Sequence, residues 1–314
     1  MNPNVLATKL QSVLQKAKDV SDEEKLYRYN GVLYPRLVCP EDHLKALENM
    51  EAREDDVMLV AYPKCGFNWM VGVVRKIITE ATGMKTESKM PPLIEFFGPD
   101  VLEVMRNTPS PRFLGTHLHP DNIPASFHAK KTKIVVIFRN PKDTLVSFYH
   151  FSNNNPPDFT TAAPLGLWPN EHRVKLTQQG DCGCFGICLS PSGASKSQRR
   201  PVTLRHQDTV PWGSYFDHAL AWEERMEDPN VLIVTYEELK QVKQVAEGST
   251  FTAMKESSAS SHGTLGNVVF RKGEVGDWRN HFTPEQSKEM DDAFNKHLAG
   301  TRLGAKLNYQ LHCQ

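Results

Sequence analysis

Four short stretches carry side chains able to grip an anion or move a proton. The first is Tyr62-Pro63-Lys64-Cys65-Gly66-Phe67-Asn68-Trp69, set between an apolar run and a helical run. A glycine-containing turn from strand to helix aims backbone N–H groups and the positive helix end at one point, which suits a phosphate. Lys64 adds a full charge there, although the order is Lys before Gly and therefore not a Walker A sequence. The second is Phe138-Arg139-Asn140-Pro141-Lys142-Asp143-Thr144-Leu145-Val146-Ser147. Arg139 leaves the carboxyl end of a predicted strand, where open α/β sheets place ligands, and a guanidinium grips phosphate oxygens in pairs. The plainer alternative is an ion pair between Arg139 and Asp143, one helical turn apart. Ser147 adds a hydroxyl if its helix face turns inward. The third is Phe270-Arg271-Lys272-Gly273, ahead of Gly276-Asp277-Trp278. Two adjacent cations beside glycine form either a loop able to wrap an anion or an ordinary solvated turn.

The fourth supplies a base. Twelve histidines are present. His117, in Gly115-Thr116-His117-Leu118-His119, falls at the end of a strand candidate, and strand alternation would turn His119 to the same side. A histidine titrates near operating pH and is suited to take a proton from a hydroxyl.

The elements that must position these groups are legible as an alternation of short apolar strands and amphipathic helices. Strands are predicted at Asp56–Ala61, Arg112–Leu118, Lys133–Phe138 and Val231–Val234. Trp69, Met70, Val73, Val74, Ile77, Ile78 and Ala81 recur at helical spacing. Further helices are expected over a charged N-terminal segment, from Lys142 to Phe151, and along Tyr215, Ala219, Trp222 and Met226. Another begins at the capping box Thr283-Pro284-Glu285-Gln286, buries Met290, Phe294 and Leu298, and stops near Gly300. Such alternation implies an α/β fold with a central, mostly parallel sheet flanked by helices.

The chain has 314 residues, with 37 Lys and Arg against 37 Asp and Glu. Net neutrality argues against a nucleic-acid scaffold or a polybasic membrane binder, but leaves room for a local cationic pocket. No apolar run reaches the length of a membrane span, and Met1–Val20 lacks the apolar core of a signal peptide. Six cysteines without such a signal read as reduced thiols, so a cytoplasmic address is expected. Cys182, Cys184 and Cys188 lack a fourth nearby ligand for zinc, and no metal is expected.

Taken together and in order, the stretches resemble the cytosolic sulfotransferases, which transfer a sulfuryl group from 3'-phosphoadenylyl sulfate (PAPS). The first is similar to the family's 5'-phosphosulfate loop, Y-P-K-[SC]-G-[TS]-x-W. The second is similar to its 3'-phosphate site, R-N-P-K-D-x-x-V-S, and the third to R-K-G-x-x-G-D-W. Lys64-Cys65-Gly66 and the run from Phe270 to Trp278 resemble the 6B subfamily in particular. The resemblance covers about 28–155 and 211–314 and implies one sulfotransferase domain over 1–314 with a P-loop-NTPase-like fold.

It further implies that Lys64, Cys65, Gly66, Phe67, Asn68 and Trp69 form the 5' loop, with Trp69 against the adenine. Arg139 and Ser147 would hold the 3'-phosphate, and Arg271, Lys272 and Gly273 would complete that clamp. Tyr236 and the Ser249-Thr250-Phe251 segment match the adenine side, and His117 matches the T-H-L base. The implied reaction is in-line displacement onto a small hydrophobic acceptor, a phenol, steroid or thyroid-hormone-like hydroxyl or amine. His117 would take the proton while Lys64 stabilises the departing phosphate.

Several positions depart from the family pattern. Phe67 replaces a small hydroxyl residue, and Gly115 stands where many members carry lysine. The dimer motif K-x-x-x-T-V-x-x-x-E becomes Arg279, Thr283-Pro284 and Lys288, so dimerisation by that route is not carried over. Residues 159–209 are Pro-, Ser-, Gly-, Cys- and Arg-rich, roughly thirty residues longer than the family connection, and predicted to be a disordered insertion. The connection from Tyr236 to Ser249 is shorter than the family spacing, as if a helical pair were deleted. Both features fit an aberrant transcript. The alternatives weighed are therefore a catalytically impaired nucleotide-binding form and, more remotely, a P-loop small-molecule kinase.

Overall fold

The computed structural model describes residues 24–83, 93–154, 210–241, 255 and 270–314. It opens with an antiparallel hairpin of β1 (Leu26–Tyr29) and β2 (Val32–Pro35). The turn is Asn30-Gly31 with φ of 46° and 79°, the pair of positive values that a type I′ turn demands. This hairpin stands outside the alternation read from the sequence, although Asn-Gly is its strongest local signal. There follow α1 (Glu41–Leu47), β3 (Val57–Ala61), α2 (Phe67–Thr82), α3 (Pro99–Arg106) and β4 (Phe113–Thr116). A 3-10 turn at Pro120–Asn122, α4 (Ala125–Ala129), β5 (Lys133–Phe138) and α5 (Pro141–Asn154) come next. Then come α6 (Tyr215–Glu223), β6 (Val231–Thr235), α7 (Tyr236–Gln241) and a 3-10 turn at Asp277–Asn280. Three helices end the chain: α8 (Pro284–His297), α9 (Arg302–Lys306) and α10 (Tyr309–Cys313).

The last four strands form one parallel sheet in the order β4-β3-β5-β6. Its two inner strands read Val-Met-Leu-Val-Ala and Lys-Ile-Val-Val-Ile-Phe, because a parallel strand covered on both faces has no solvent side. Met58 to Ala61 and Val136 to Phe138 are wholly buried in the core. The fold is thus the expected α/β class, with a parallel central sheet flanked by helices. After β3 the chain moves to β4 on one side; after β5 it moves to β6 on the other. The carboxyl ends of β3 and β5 therefore bracket the point where strand order reverses, the crevice in which open α/β sheets bind ligands.

The helices correct some details of the sequence reading. The buried stripe of α2 is Phe67, Met70, Val71, Val74 and Ile78, with Trp69 beside it, whereas Ile77 is 61% exposed and Ala81 is exposed too. An apolar face wider than the contact it makes leaves its flank in water. The capping box of α8 is present in both directions, between Thr283 and Gln286, and the helix stops at its C-cap Leu298, two residues before Gly300 at φ 82°. Thr283 and Pro284 thus start a helix, and Lys288 pairs with Asp292 within it. The N-terminal segment, the stretch 159–209 with its three cysteines, and most of the shortened connection after Gln241 lie outside the described residues.

Candidate active site

Each strand of the parallel sheet delivers one group at its carboxyl end. β3 leads into the turn before α2, where Lys64 has φ 71° and Gly66, the N-cap, has φ 105°. A Cβ on Gly66 would stand 2.7 Å from Tyr236 Cδ2, so glycine is needed for both conformation and space. No side chain caps α2 and no acid stands in its first turn, leaving its positive end uncompensated by the helix itself. The Lys64 ammonium lies 4.2 Å from the centre of the Phe151 ring. Burial, then the charges of Arg139 and Arg271, lower its pKa to about 7. Cys65 is buried with Sγ 3.6 Å from Thr144 Oγ1, and burial pushes its thiol up to about 12. It is a packing residue rather than a thiolate.

Arg139 follows β5 and is 7% exposed. Its Nη2 donates to the Glu274 carbonyl at 2.8 Å and stands 3.7 Å from Asp143, and its guanidinium lies 4.6 Å from the Tyr236 ring centre. Its Nε is buried with no partner among the described residues. The contact with Asp143 is therefore real but loose, and it does not consume the guanidinium. Asp143 instead accepts the backbone N–H of Gly276 at 2.7 Å, that of Trp278 at 2.9 Å and the Asn140 amide at 2.9 Å. Asn140 also donates to Glu237, from both its backbone and its side chain. Lys142, wholly buried, contacts Ser287 Oγ, the Cys313 carbonyl and Asp291 Oδ1, each at 2.7 Å. Within this stretch Arg139 faces the crevice while Asn140, Lys142 and Asp143 wire α5 to the C-terminal elements. Ser147 is half-buried two turns into α5.

The third stretch is more committed than its sequence implied. Arg271 Nη2 donates to Asp277 at 2.5 Å, Lys272 Nζ donates to its other oxygen at 2.7 Å, and His281 Nε2 lies 3.2 Å away. Burial alone would raise the Asp277 carboxyl, but the Lys272 and Arg271 hydrogen bonds hold it below the usual range. The two cations are thus pre-formed around a carboxylate that sets their spacing, next to Gly273 at φ 70°. Tyr236 opens α7 directly after β6, and its ring centre lies 5.0 Å from that of Trp69. Lys240 stands 5.6 Å from the Trp69 ring centre. Ser249 and Phe251 lie outside the described residues.

His117 sits one residue past the end of β4. Its Nδ1 is 2.8 Å from the Ala61 carbonyl oxygen, which can only accept, so Nδ1 carries the proton and Nε2 keeps the basic lone pair. The Phe67 ring meets the imidazole edge-on at 4.9 Å, and Trp212 does so at 5.9 Å. The bulk of Phe67 therefore packs the histidine rather than filling the turn. Burial, partly opposed by the Ala61 bond and assisted by Lys64, lowers the imidazole to about 4. His119 departs from the expected alternation because β4 ends at Thr116. It caps the 3-10 turn instead, its Nδ1 accepting the Asp121 N–H at 3.4 Å.

Sequence reading missed the carboxylates around the site, Glu95, Glu237 and Asp277. Only Asp277 carried a sequence signal, being the acid of the Gly-Asp-Trp triplet. Among the described residues no group of three His, Cys, Asp or Glu is placed to hold a metal, and no helix is long and apolar enough to cross a membrane.

A parallel sheet with lysine and arginine at its reversal point and a histidine one strand over defines an α/β protein of the P-loop-like kind. The chain belongs to the sulfotransferase family: the sulfotransferase domain model matches residues 54–247 and 240–302. It is 46% identical to sulfotransferase 6B1 of Danio rerio, covering 98% of this chain and all of the relative. It is 37% identical to sulfotransferase 6B1 of Homo sapiens, over 97% of this chain and 96% of the relative. A mouse sulfotransferase solved in complex with PAP superposes with a TM-score of 0.69 at 28% identity, covering 91% of this chain and 99% of that one. A retinol dehydratase solved with androsterone and PAP shares the fold, with a TM-score of 0.59 at 15% identity over 92% and 94% of the two chains.

Proposed function

We propose that the chain transfers a sulfuryl group from PAPS to a hydroxyl or amine of a small hydrophobic acceptor such as a phenol, steroid or thyroid-hormone-like compound. The observation that carries this is the pairing of His117, neutral with Nε2 as its basic nitrogen, with Lys64 and Arg139 at neighbouring strand ends. The unpartnered Arg139 Nε and the uncapped start of α2 fit a phosphorylated ligand. The donor supplies the activated sulfuryl group and a bisphosphate that leaves. Lys64 and the backbone of residues 65–69 would hold its 5' end; Arg139, Ser147, Arg271, Lys272 and Gly273 would hold the 3'-phosphate. Trp69 and Tyr236, with Ser249 and Phe251, would flank the adenine. His117 Nε2 would take the acceptor's proton as the bond to sulfur forms, and Lys64 would stabilise negative charge on the leaving phosphate. The bound mouse relative supports the donor, and the androsterone-bound neighbour is consistent with an apolar acceptor.

The test begins with thermal shift. Adenosine 3',5'-bisphosphate at 100 times its Kd should stabilise the fold by about 2.7 kcal/mol. Radiolabelled sulfate should then pass from PAPS to members of a phenol and steroid panel, and His117→Ala should reduce transfer at least about a hundredfold. A Tm raised by ATP but not by the bisphosphate would overturn the reading in favour of a kinase.

A further inference from the structure

We propose that Glu95 is a positioning residue for the base: its buried carboxylate fixes the chain at the end of β4 so that His117 faces the crevice. The inference rests on the sulfotransferase reading for its kinetic consequence, but its geometry stands alone. Residues 93–95 run alongside β4 on the edge that β3 does not cover. Leu93 bridges Gly115 in parallel, and the Ile94 N–H donates to the Gly115 carbonyl at 2.9 Å. This delivers the Glu95 side chain, wholly buried, to the strand end. Oε1 accepts the His117 backbone N–H at 2.8 Å, and Oε2 accepts the Thr116 hydroxyl at 2.9 Å. The Thr116 oxygen in turn accepts the Leu118 N–H at 3.0 Å. One carboxylate thus immobilises three consecutive residues centred on the histidine. His117 is tied at both ends, through its amide to Glu95 and through Nδ1 to Ala61.

No cation faces Glu95 from the elements packed on it, among the described residues. The titratable groups there are Tyr34 of β2, Cys39 before α1, and His117 itself; His43 of α1 is bonded to the neighbouring Ile94 carbonyl. Tyr34 and Cys39 are both pushed up, chiefly by burial and partly by the charge on Glu95, so they stay neutral. Burial raises the Glu95 carboxyl to about 7, with hydrogen bonds from His117 and Thr116 opposing the rise. Ionised above that pH, it accepts both hydrogen bonds. Protonated below it, the acid keeps one oxygen for the His117 N–H and can turn its own O–H to the Thr116 oxygen, which accepts it, so the clamp holds in both states.

The test compares Glu95→Gln and Glu95→Ala in the full chain, checked for folding by thermal melting. Glutamine offers its oxygen to the His117 amide and its NH2 to the Thr116 oxygen, without a charge to titrate. Glu95→Gln should keep kcat within about threefold. Glu95→Ala should lower kcat more than tenfold with the bisphosphate Kd changed less than twofold. In parallel, 15N-histidine spectra should show His117 as the Nδ1–H tautomer in the wild type and in Glu95→Gln, and a second ring state in Glu95→Ala. Equal losses in the two variants would overturn the proposal. If the wild type transfers no sulfate to any acceptor, the sulfotransferase reading fails. The spectra still decide on Glu95, since unchanged His117 signals in Glu95→Ala would refute its positioning role.

Discussion

Asp143 offers the sharpest test of how the site is held together, because it touches neither Lys64 nor His117. It is 1% exposed and receives three hydrogen bonds, two of them from the backbone of the loop that carries Arg271, Lys272 and Gly273. Asp143→Ala removes the acceptor and strands the buried Trp278 N–H, the Gly276 N–H and the Asn140 amide. Hydrogen bonds to a charged group contribute about 1.5–3 kcal/mol each, and removing one member of a buried charged network costs about 3–5 kcal/mol, which sets the expected loss near 4 kcal/mol. With a urea m-value of about 3 kcal/mol/M, the midpoint should fall by roughly 1.3 M. The same variant should weaken the bisphosphate more than tenfold at a temperature where it remains folded, because the third cationic loop loses its anchor. Asp143→Asn keeps one accepting oxygen and should lose about half as much stability. Urea titration and calorimetric titration of the bisphosphate measure the two effects separately. A midpoint unchanged within about 0.2 M would refute the wiring argument. A lowered midpoint with unchanged affinity would show that the latch on the Arg271 loop is irrelevant to binding.

Two further outcomes follow from the cations. Lys64 has its pKa lowered from its unfolded value to about 7, so at pH 8 the empty site holds it mostly neutral, whereas a phosphate dianion favours the ammonium. Binding should take up close to one proton at pH 8, and affinity should fall by up to tenfold per pH unit above about 7. Calorimetry in buffers of different ionisation enthalpy measures the uptake, and its persistence in Lys64→Met would contradict the assignment. Lys142→Met should lower stability by about 3 kcal/mol, since it takes a buried ammonium from the buried Cys313 carbonyl and the half-buried Ser287 and Asp291, while bisphosphate affinity in the folded variant changes less than threefold. A large loss of affinity without a loss of stability would make Lys142 a ligand residue after all.

The sheet was legible because parallel strands buried on both faces must be apolar runs, and Val57–Ala61 and Lys133–Phe138 are unbroken ones. Lys64 and Arg139 were legible because each stands just past the end of such a run. What the sequence hid is the partition within a motif. Arg139 and Asp143 lie four residues apart, yet the first looks into the crevice and the second away from it, to Gly276 and Trp278, more than a hundred residues distant. Local spacing holds no information on a partner so far along the chain. Glu95 was hidden for the same reason, since its value comes from an edge pairing with Gly115 that no periodicity announces. Ile77 lies on the flank of the α2 stripe that no element covers among the described residues, so its helical spacing did not make it a core residue.

The strand order also explains why residues scattered over much of the sequence act as one site, and what the proposed reaction would require of it. Along the carboxyl edge the sequence of groups is His117 after β4, Lys64 after β3, Arg139 after β5 and Tyr236 after β6. Neighbouring strands lie about 4.8 Å apart, so the edge works as a ruler on which histidine and arginine are separated by about two intervals. A donor with its transferable group at one end and a second phosphate at the other would be read along that ruler. Lys64, at the position between them, is adjacent to the base, and its charge reaches both His117 and Arg139. That placement makes the lysine depend on a bound anion for its own protonation. The chain can remain neutral overall while this crevice does not, because Asp143 and Asp277 are spent on aligning backbone and cations around it rather than on filling it. A bound polyanion, on the proposed reading, would relieve the repulsion that Arg139 and Arg271 exert on Lys64.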